Sequence, residues 1–395
     1  MYDPLLLTLL LAAIAIGWWL GRRDSARLRR SQRQRASLPR DYFVGLNYLL
    51  NEQPDRAIET FVQTLTVDSD TIETHIALGN LFRSRGEADR AVRIHQNLLA
   101  RPALSAAQSD QVQLELSRDF LHLGLLDRAE RLLQQLVRDT QDDAVRQSGK
   151  RLLVDLYERE REWQQALDVA LPNMIRQDGD VRRAAAHWQC ELAQQARLDT
   201  SPALARKRLR QALAIDAGCV RANWLLAELE AEAGNYKAQL RFLHKIPEQD
   251  RDFAPVILAP LQNAFLKLDN EAGLERFLRR LIETSPHISA VIMLAQTLER
   301  RAGATLAAEF VGEQLSVNPS LRGIDYLVDL YLLDTSDPAQ HERMVLLKQH
   351  TGKLLQARPR FRCTRCGFPG AQLHWQCPRC RHWGTTKPIT GLEGE

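Results

Sequence analysis

A chain of 395 residues has room for two or more folded units. Its formal net charge of +4 is carried largely by one short arginine cluster, so the total does not describe a basic body. Six cysteines, four of them within one short segment, argue against a disulfide-built scaffold.

The first element is PLLLTLLLAAIAIGWWLG between Asp3 and Arg22, 18 residues without a formal charge. As a helix it is about 27 Å long, close to the lower limit for crossing a hydrocarbon core of about 30 Å. A cleaved signal peptide fits less well. No basic region precedes the apolar run, and RRDSARLRRSQRQR follows it at once. Residues 22–40 hold eight arginines against one acid. The positive-inside rule keeps that flank cytoplasmic and puts Met1 on the opposite face. Trp18 and Trp19 fall where amphipathic rings anchor a span at the interface. The reading is a single-pass anchor over 1–21 and a basic juxtamembrane linker over 22–40. The linker's charge is better explained by topology and anionic headgroups than by nucleic acid.

From 41 to 350 the pattern is nearly continuous helix, with polar breaks at intervals of roughly 35 residues. Small residues set a register: Ala57, Ala91, Ala129, Ala166, Ala205 and Ala238 on second helices of hairpins. On first helices, Gly45 precedes Tyr48, Gly79 precedes Phe82, Ser117 precedes Phe120 and Val154 precedes Tyr157. A small residue lets two helices approach, and an aromatic three positions on covers the same face. This arrangement resembles the tetratricopeptide repeat family, whose helical hairpins stack into a right-handed superhelix. The match is fullest in the first two units and near LAIDAG at 213–218. It thins later, although Ala307 and Pro319 keep the register. The expected fold is all-α, with about eight or nine helical pairs. Such an array leaves a long surface free for a peptide or partner domain and has no catalytic preorganisation of its own.

No phosphate-binding glycine loop, nucleophile elbow or H-E-x-x-H motif occurs. His75, His95, His122 and His187 are expected to be satisfied or solvent-facing helix residues. Cys190 and Cys219 are expected to fill small apolar sites rather than form a redox pair. Glu228, Glu230 and Glu232 read as a solvated helix face.

The last element is FRCTRCGFPGAQLHWQCPRCRHW, two C-x-x-C pairs formed by Cys363 with Cys366 and Cys377 with Cys380. Four thiolates at this spacing can close a tetrahedral site around one metal ion, which then supplies folding energy that so short a segment cannot draw from its own core. Zinc is the first choice and iron fits the same sulfurs. His374 and His382 are spare nitrogens beside a complete set. Gly367 would relieve strain in the first turn and Pro378 would stiffen the second. Arg362, Arg365, Arg379 and Arg381 either offset the cluster's charge or face solvent. Leu373, Phe368, Trp375 and Trp383 either cover the cluster as a miniature core or serve as interaction anchors. With no open coordination position, the site reads as structural or as a docking surface.

The order of parts, with RPRFRCTRCGF and WQCPRCRHWGT, is similar to the lipopolysaccharide assembly protein B family of inner-membrane tetratricopeptide proteins. The resemblance covers essentially the whole chain, and its specificity lies in the combination. It implies a rubredoxin-like C-terminal domain, here 355–390, with metal on Cys363, Cys366, Cys377 and Cys380. It also implies a non-enzymatic adaptor on the cytoplasmic face of the inner membrane. Its implied partners are a membrane-bound AAA+ protease, the deacetylase of the lipid A pathway, lipopolysaccharide assembly or transport proteins, and a membrane-anchored antagonist. A homodimer is a further expectation for the repeats. The family's metal domain packs back on the repeats, where it would seal one end of the groove. Two rival classes predict other properties. A nucleic-acid-binding protein would use the basic module, and an iron redox protein would be coloured and reversibly reducible.

Overall fold

The computed structural model describes residues 44, 47, 48, 56, 60 and 72–394, except 103, 357 and 393. The apolar run 4–21, the basic flank and most of the first expected hairpin lie outside the described residues. Among the described residues no helix is long and apolar enough to cross a membrane.

The chain divides into two units, Met1–Leu152 and Leu153–Glu395. The first contains α1 (Ile72–Ser84), α2 (Ala88–Leu99), α3 (Ala106–His122), α4 (Leu126–Asp139) and the start of α5 (Asp143–Glu160). The second continues with α6 (Trp163–Ala170), the short α7 (Asn173–Gln177), α8 (Gly179–Leu198), α9 (Pro202–Ile215), α10 (Val220–Glu232) and α11 (Tyr236–Gln249). A 3-10 turn at Arg251–Phe253 leads into α12 (Ala254–Lys267) and α13 (Glu271–Thr284). Then come α14 (Ile288–Ala302), α15 (Ala304–Val317), α16 (Leu321–Asp334) and α17 (Pro338–Gln356). Setting α7 aside, these are eight helical pairs among the described residues. A three-stranded antiparallel sheet closes the chain: β1 (Phe361–Cys363) lies between β2 (Pro369–Gly370) and β3 (Thr386–Pro388).

The small-residue register is the packing register. Ala91, Ala129, Ala166, Ala205 and Ala307 are each at most 1 % exposed, as contacts between antiparallel helices require. Ala238 is only half-buried, because Gln239 and Leu240 turn inward beside it. Gly79, Phe82, Ser117, Phe120, Val154 and Tyr157 are all buried.

In the first unit the apolar packing is interrupted by a buried polar knot joining three helices. His95 of α2 is fully buried, and its Nδ1 lies 2.5 Å from Asp119 Oδ2 of α3. Arg83 of α1 places Nη1 2.7 Å from Asp119 Oδ1 and Nη2 2.7 Å from Glu115 Oε2. Buried carboxylates are tolerable when charge and hydrogen bonds compensate them, and here one guanidinium serves two. Gly79 is small for a concrete reason: a Cβ there would meet His95 Nε2 at 2.4 Å. The imidazole is pinned by Asp119, so it cannot retreat cheaply. Gly79→Ala is therefore expected to cost about 1–3 kcal/mol, the usual penalty of overpacking. Thermal or urea unfolding measures it, and an unchanged midpoint would show that the ring can move.

A four-thiol module seated on the repeats

The C-terminal module is built from two tight turns that aim sulfur inward. In the first, the Gly367 N–H donates to the Cys363 carbonyl at 2.9 Å and the Cys363 N–H donates to the Phe368 carbonyl at 2.9 Å. Gly367 has φ +73°, a left-handed conformation that glycine adopts without Cβ strain. In the second, the Arg381 N–H donates to the Cys377 carbonyl at 2.8 Å and the Cys377 N–H donates to the His382 carbonyl at 3.0 Å. The pairs interleave: Cys363 Sγ is 3.7 Å from Cys380 Sγ, and Cys366 Sγ is 3.6 Å from Cys377 Sγ. All four sulfurs lie within 4.8 Å of one another.

A tetrahedral thiolate site with metal–sulfur bonds near 2.3 Å has edges of about 3.8 Å. The observed spacing is therefore that of a cluster able to hold a single metal ion. Cys363 and Cys377 are buried, and Cys366 and Cys380 are half-buried. Burial works against a thiolate at Cys363. The Thr385 hydroxyl, at 3.3 Å, and the backbone N–H groups of Cys366 and Arg365 outweigh it and bring the thiol down to about 6. Cys380 moves the opposite way, pushed up to about 12 by burial and by the facing sulfurs of Cys377, Cys366 and Cys363, so the first proton leaves the cluster at Cys363. His382 turns Nδ1 to the Cys380 carbonyl at 2.7 Å, and neither His382 nor His374 belongs to the sulfur cluster.

Within the second unit the module is not an appendage at one end of the hairpins. It sits across the first helices of successive hairpins in the second unit. Trp383 is 6 % exposed and stacks on His187 of α8, with ring centroids 5.1 Å apart and planes at 21°. Trp163 at the start of α6 meets the same indole edge-on at 5.8 Å. Trp375 stacks on Phe253 at 5.7 Å and 12°, and the Arg221 guanidinium of α10 lies 5.9 Å from both indole rings. Aromatic pairs and cations over ring faces add directional attraction to the burial itself. Leu373 and Trp375 also join the apolar core formed by α10 to α14. These aromatics therefore cover the repeats rather than the cluster alone. Sequence spacing could not choose between those roles.

Polar contacts fix the orientation. Glu158 Oε1 of α5 accepts the Trp383 indole N–H at 2.5 Å and the Trp188 indole N–H at 2.7 Å. Burial raises the Glu158 carboxyl above its ordinary value of 4.5, and the two indole bonds and Arg381 pull it part of the way back. Arg365 pairs with Asp180 at 2.9 Å, and Arg381 with Asp155 at 3.2 Å. Lys387 pairs with Asp250 at 2.8 Å and with Asp252 at 2.9 Å. Such partly exposed pairs contribute little energy individually, about 0–1 kcal/mol, and act mainly as registration marks. Gly384, with φ +64°, lies against α8, where a Cβ would come within 3.1 Å of His187 Nε2 and 3.2 Å of Arg183 Cδ. Beyond the sheet, the Leu321 N–H at the head of α16 donates to the Leu392 carbonyl at 3.1 Å.

Of the four histidines expected to be ordinary helix residues, His95 is bonded to Asp119 and His122 is exposed. His75 is half-buried, while His187 forms the floor beneath Trp383. Glu228, Glu230 and Glu232 are more than a solvated face. Arg197 binds Glu228 at 2.8 Å and also Glu232, and Arg206 binds Glu230 at 2.8 Å. Cys190 and Cys219 are buried as expected, but they face each other. The sequence reading missed Glu158, Asp155, Asp180, Asp250, Asp252 and Phe253. Each looks like an unremarkable helix or turn residue until the fold opposes it to the module.

Comparison with known proteins follows the same division. Residues 361–388 match the rubredoxin metal binding domain family, and residues 74–107 match a tetratricopeptide repeat family. The chain is 36 % identical over 391 residues to lipopolysaccharide assembly protein B of Escherichia coli strain K12, covering 99 % of each chain. It is 33 % identical over 402 residues to the protein of that name from Haemophilus influenzae strain KW20 Rd, covering 98 % of this chain and 99 % of that one. A tetratricopeptide repeat protein from Parabacteroides merdae overlaps 66 % of this chain and 99 % of its own, at 14 % identity and a TM-score of 0.33. That overlap is too low to carry structural inference.

Proposed function

Because the chain belongs to the lipopolysaccharide assembly protein B family, we propose that it is a non-enzymatic adaptor regulating lipopolysaccharide synthesis. In this reading it promotes proteolysis of the lipid A pathway deacetylase by a membrane AAA+ protease and coordinates lipopolysaccharide assembly or transport proteins. A membrane-anchored antagonist relieves that proteolysis. Likeness to family members along 99 % of both chains is the observation that carries the reading.

The proposed layout is an inner-membrane anchor at 1–21, a basic linker at 22–40, repeats at 41–350 and the metal domain at 355–390. Met1 is then periplasmic and the bulk of the chain cytoplasmic. Anchoring holds the adaptor in the plane of its protease and antagonist, which raises effective concentration without tight intrinsic affinity. We assign Cys363, Cys366, Cys377 and Cys380 as ligands of one structural metal ion, zinc before iron. When bound, the metal locks the two turns together. The chain's own residues then seat the module: Trp375 and Trp383 bury, Glu158 receives the indole N–H, and Arg365, Arg381 and Lys387 set the register. Those three cations are engaged with acids of the repeats, which weakens the case for the module as a nucleic-acid binder.

The test is a mild-detergent pull-down of the intact chain from its own membranes, with all four ligand cysteines replaced in the control. Co-purification of the protease or the deacetylase, lost in the control, is expected. Recovery of nucleic acid or of an electron-transfer partner instead would overturn the assignment.

A further inference from the structure

Two cysteines outside the metal cluster lie 29 positions apart in sequence and meet beneath the module. Cys190, on α8, and Cys219, the residue capping the N-terminus of α10, bring their Sγ atoms to 3.9 Å. They are 0 % and 3 % exposed. Their neighbours are the module's seat: Cys190 lies one helical turn after His187, and Cys219 lies two residues before Arg221. Cys219 also lines a cavity of about 320 Å³ between the repeats and the module, together with His187, Asp216, Thr385 and Lys387. That cavity brings a small reagent beside one residue of the pair.

The two thiols are inequivalent. Contact with Cys190 and the backbone N–H of Ala222 at the start of α10 hold Cys219 below the ordinary thiol range, although burial opposes them. Burial pushes Cys190 well up. One sulfur is therefore the readier nucleophile and the other a protonated partner within reach.

We propose that Cys190 and Cys219 form an oxidisable dithiol that closes to a disulfide on reaction with a hydroperoxide, tying α8 to α10 under the metal module. The Cys219 thiolate attacks the distal oxygen of the hydroperoxide. The O–O bond breaks, sulfur is oxidised to the sulfenic acid, and the alkoxide or hydroxide leaves and takes a proton. The Cys190 sulfur then attacks Cys219 Sγ. The S–O bond breaks, and the departing hydroxide takes the Cys190 proton to leave as water. Closing from 3.9 Å to a bond of about 2.05 Å requires side-chain movement that brings the two sulfurs together. The tether joins the helices that carry His187 and Arg221, so its formation would fix the spacing of the surface on which Trp383 rests.

The experiment uses the detergent-solubilised full chain, treated with hydrogen peroxide, alkylated and mapped without reductant by mass spectrometry. A peptide pair joined through Cys190 and Cys219, released by reductant, is expected at doses that leave the four ligand cysteines unoxidised. Cys190→Ser should abolish the link and leave Cys219 trappable by dimedone as the sulfenic acid; Cys219→Ser should leave Cys190 alkylatable. Two results would overturn the proposal. One is both cysteines remaining free thiols at doses that already oxidise the metal cluster. The other is over-oxidation of Cys219 with no cross-link in the unsubstituted chain.

Discussion

Removing the metal ion proposed for the C-terminal module, by chelation or by replacing Cys363 and Cys377 with serine, is expected to release the segment from β1 onward from the repeats. The sheet alone cannot hold it: two strands of three residues and one of two form too few ladder bonds for independent stability. Without an ion, buried Cys363 and Cys377 would face two more sulfurs with nothing to draw them together. What would then be lost is the burial of Trp375 and Trp383. Trp383 is buried and Trp375 half-buried, and a fully buried indole of about 200 Å² corresponds to about 5 kcal/mol of gross transfer free energy. Freed chain entropy returns part of that. The expected net loss of stability is on the order of 3–5 kcal/mol. It should appear as a lower unfolding midpoint together with new protease cleavage at the basic residues between 358 and 387. Protease resistance retained after verified removal of the metal would show that the repeats hold the module by themselves.

Different parts of this architecture were legible for different physical reasons. Helical hairpins were readable because close helix contact demands a small residue at fixed spacing, and Ala91, Ala129, Ala166 and Ala205 meet that demand almost without exposure. The sulfur cluster was readable because a C-x-x-C turn places both thiols on one side, so the convergence of four sulfurs is encoded within about 20 residues. The seat was not readable. Trp383 meets Glu158 across 225 positions and Lys387 meets Asp252 across 135, distances over which periodicity carries no information. The role of Gly79 fell between these cases. Its smallness was anticipated as a helix contact, but the group it admits is the His95 ring, whose orientation depends on Asp119 in the next hairpin. The expected position of the metal domain at one end of the groove needs the same kind of revision. Its contacts run from Asp155 and Glu158 on α5 to Phe253 before α12, so within the second unit it lies across several successive hairpins.

Glu158 offers the sharpest test of that seat, because its two replacements should behave oppositely. Glu158→Ala removes the shared acceptor of two indole N–H groups, those of Trp188 and Trp383. Each stranded donor costs about 1–3 kcal/mol, so a loss of about 2–6 kcal/mol is expected in urea unfolding. Glu158→Gln keeps a carbonyl oxygen in place and removes the charge that burial disfavours, so at neutral pH it should match or exceed the parent. The pH dependence distinguishes the two contributions. Burial raises the folded-state carboxyl above 4.5, so the folded chain binds this proton more readily than the unfolded chain does. Protonation therefore favours folding fully below 4.5, and the benefit is lost as pH rises from there through the raised value. The stability of the parent minus that of Glu158→Gln should accordingly fall with rising pH across that window and level off above it. Other carboxylates titrate in the same range, but they cancel in the difference. A difference that grows with pH would mean that the ionised carboxylate binds its two indoles strongly enough to overcome desolvation, and the seat would then be held by charge rather than in spite of it.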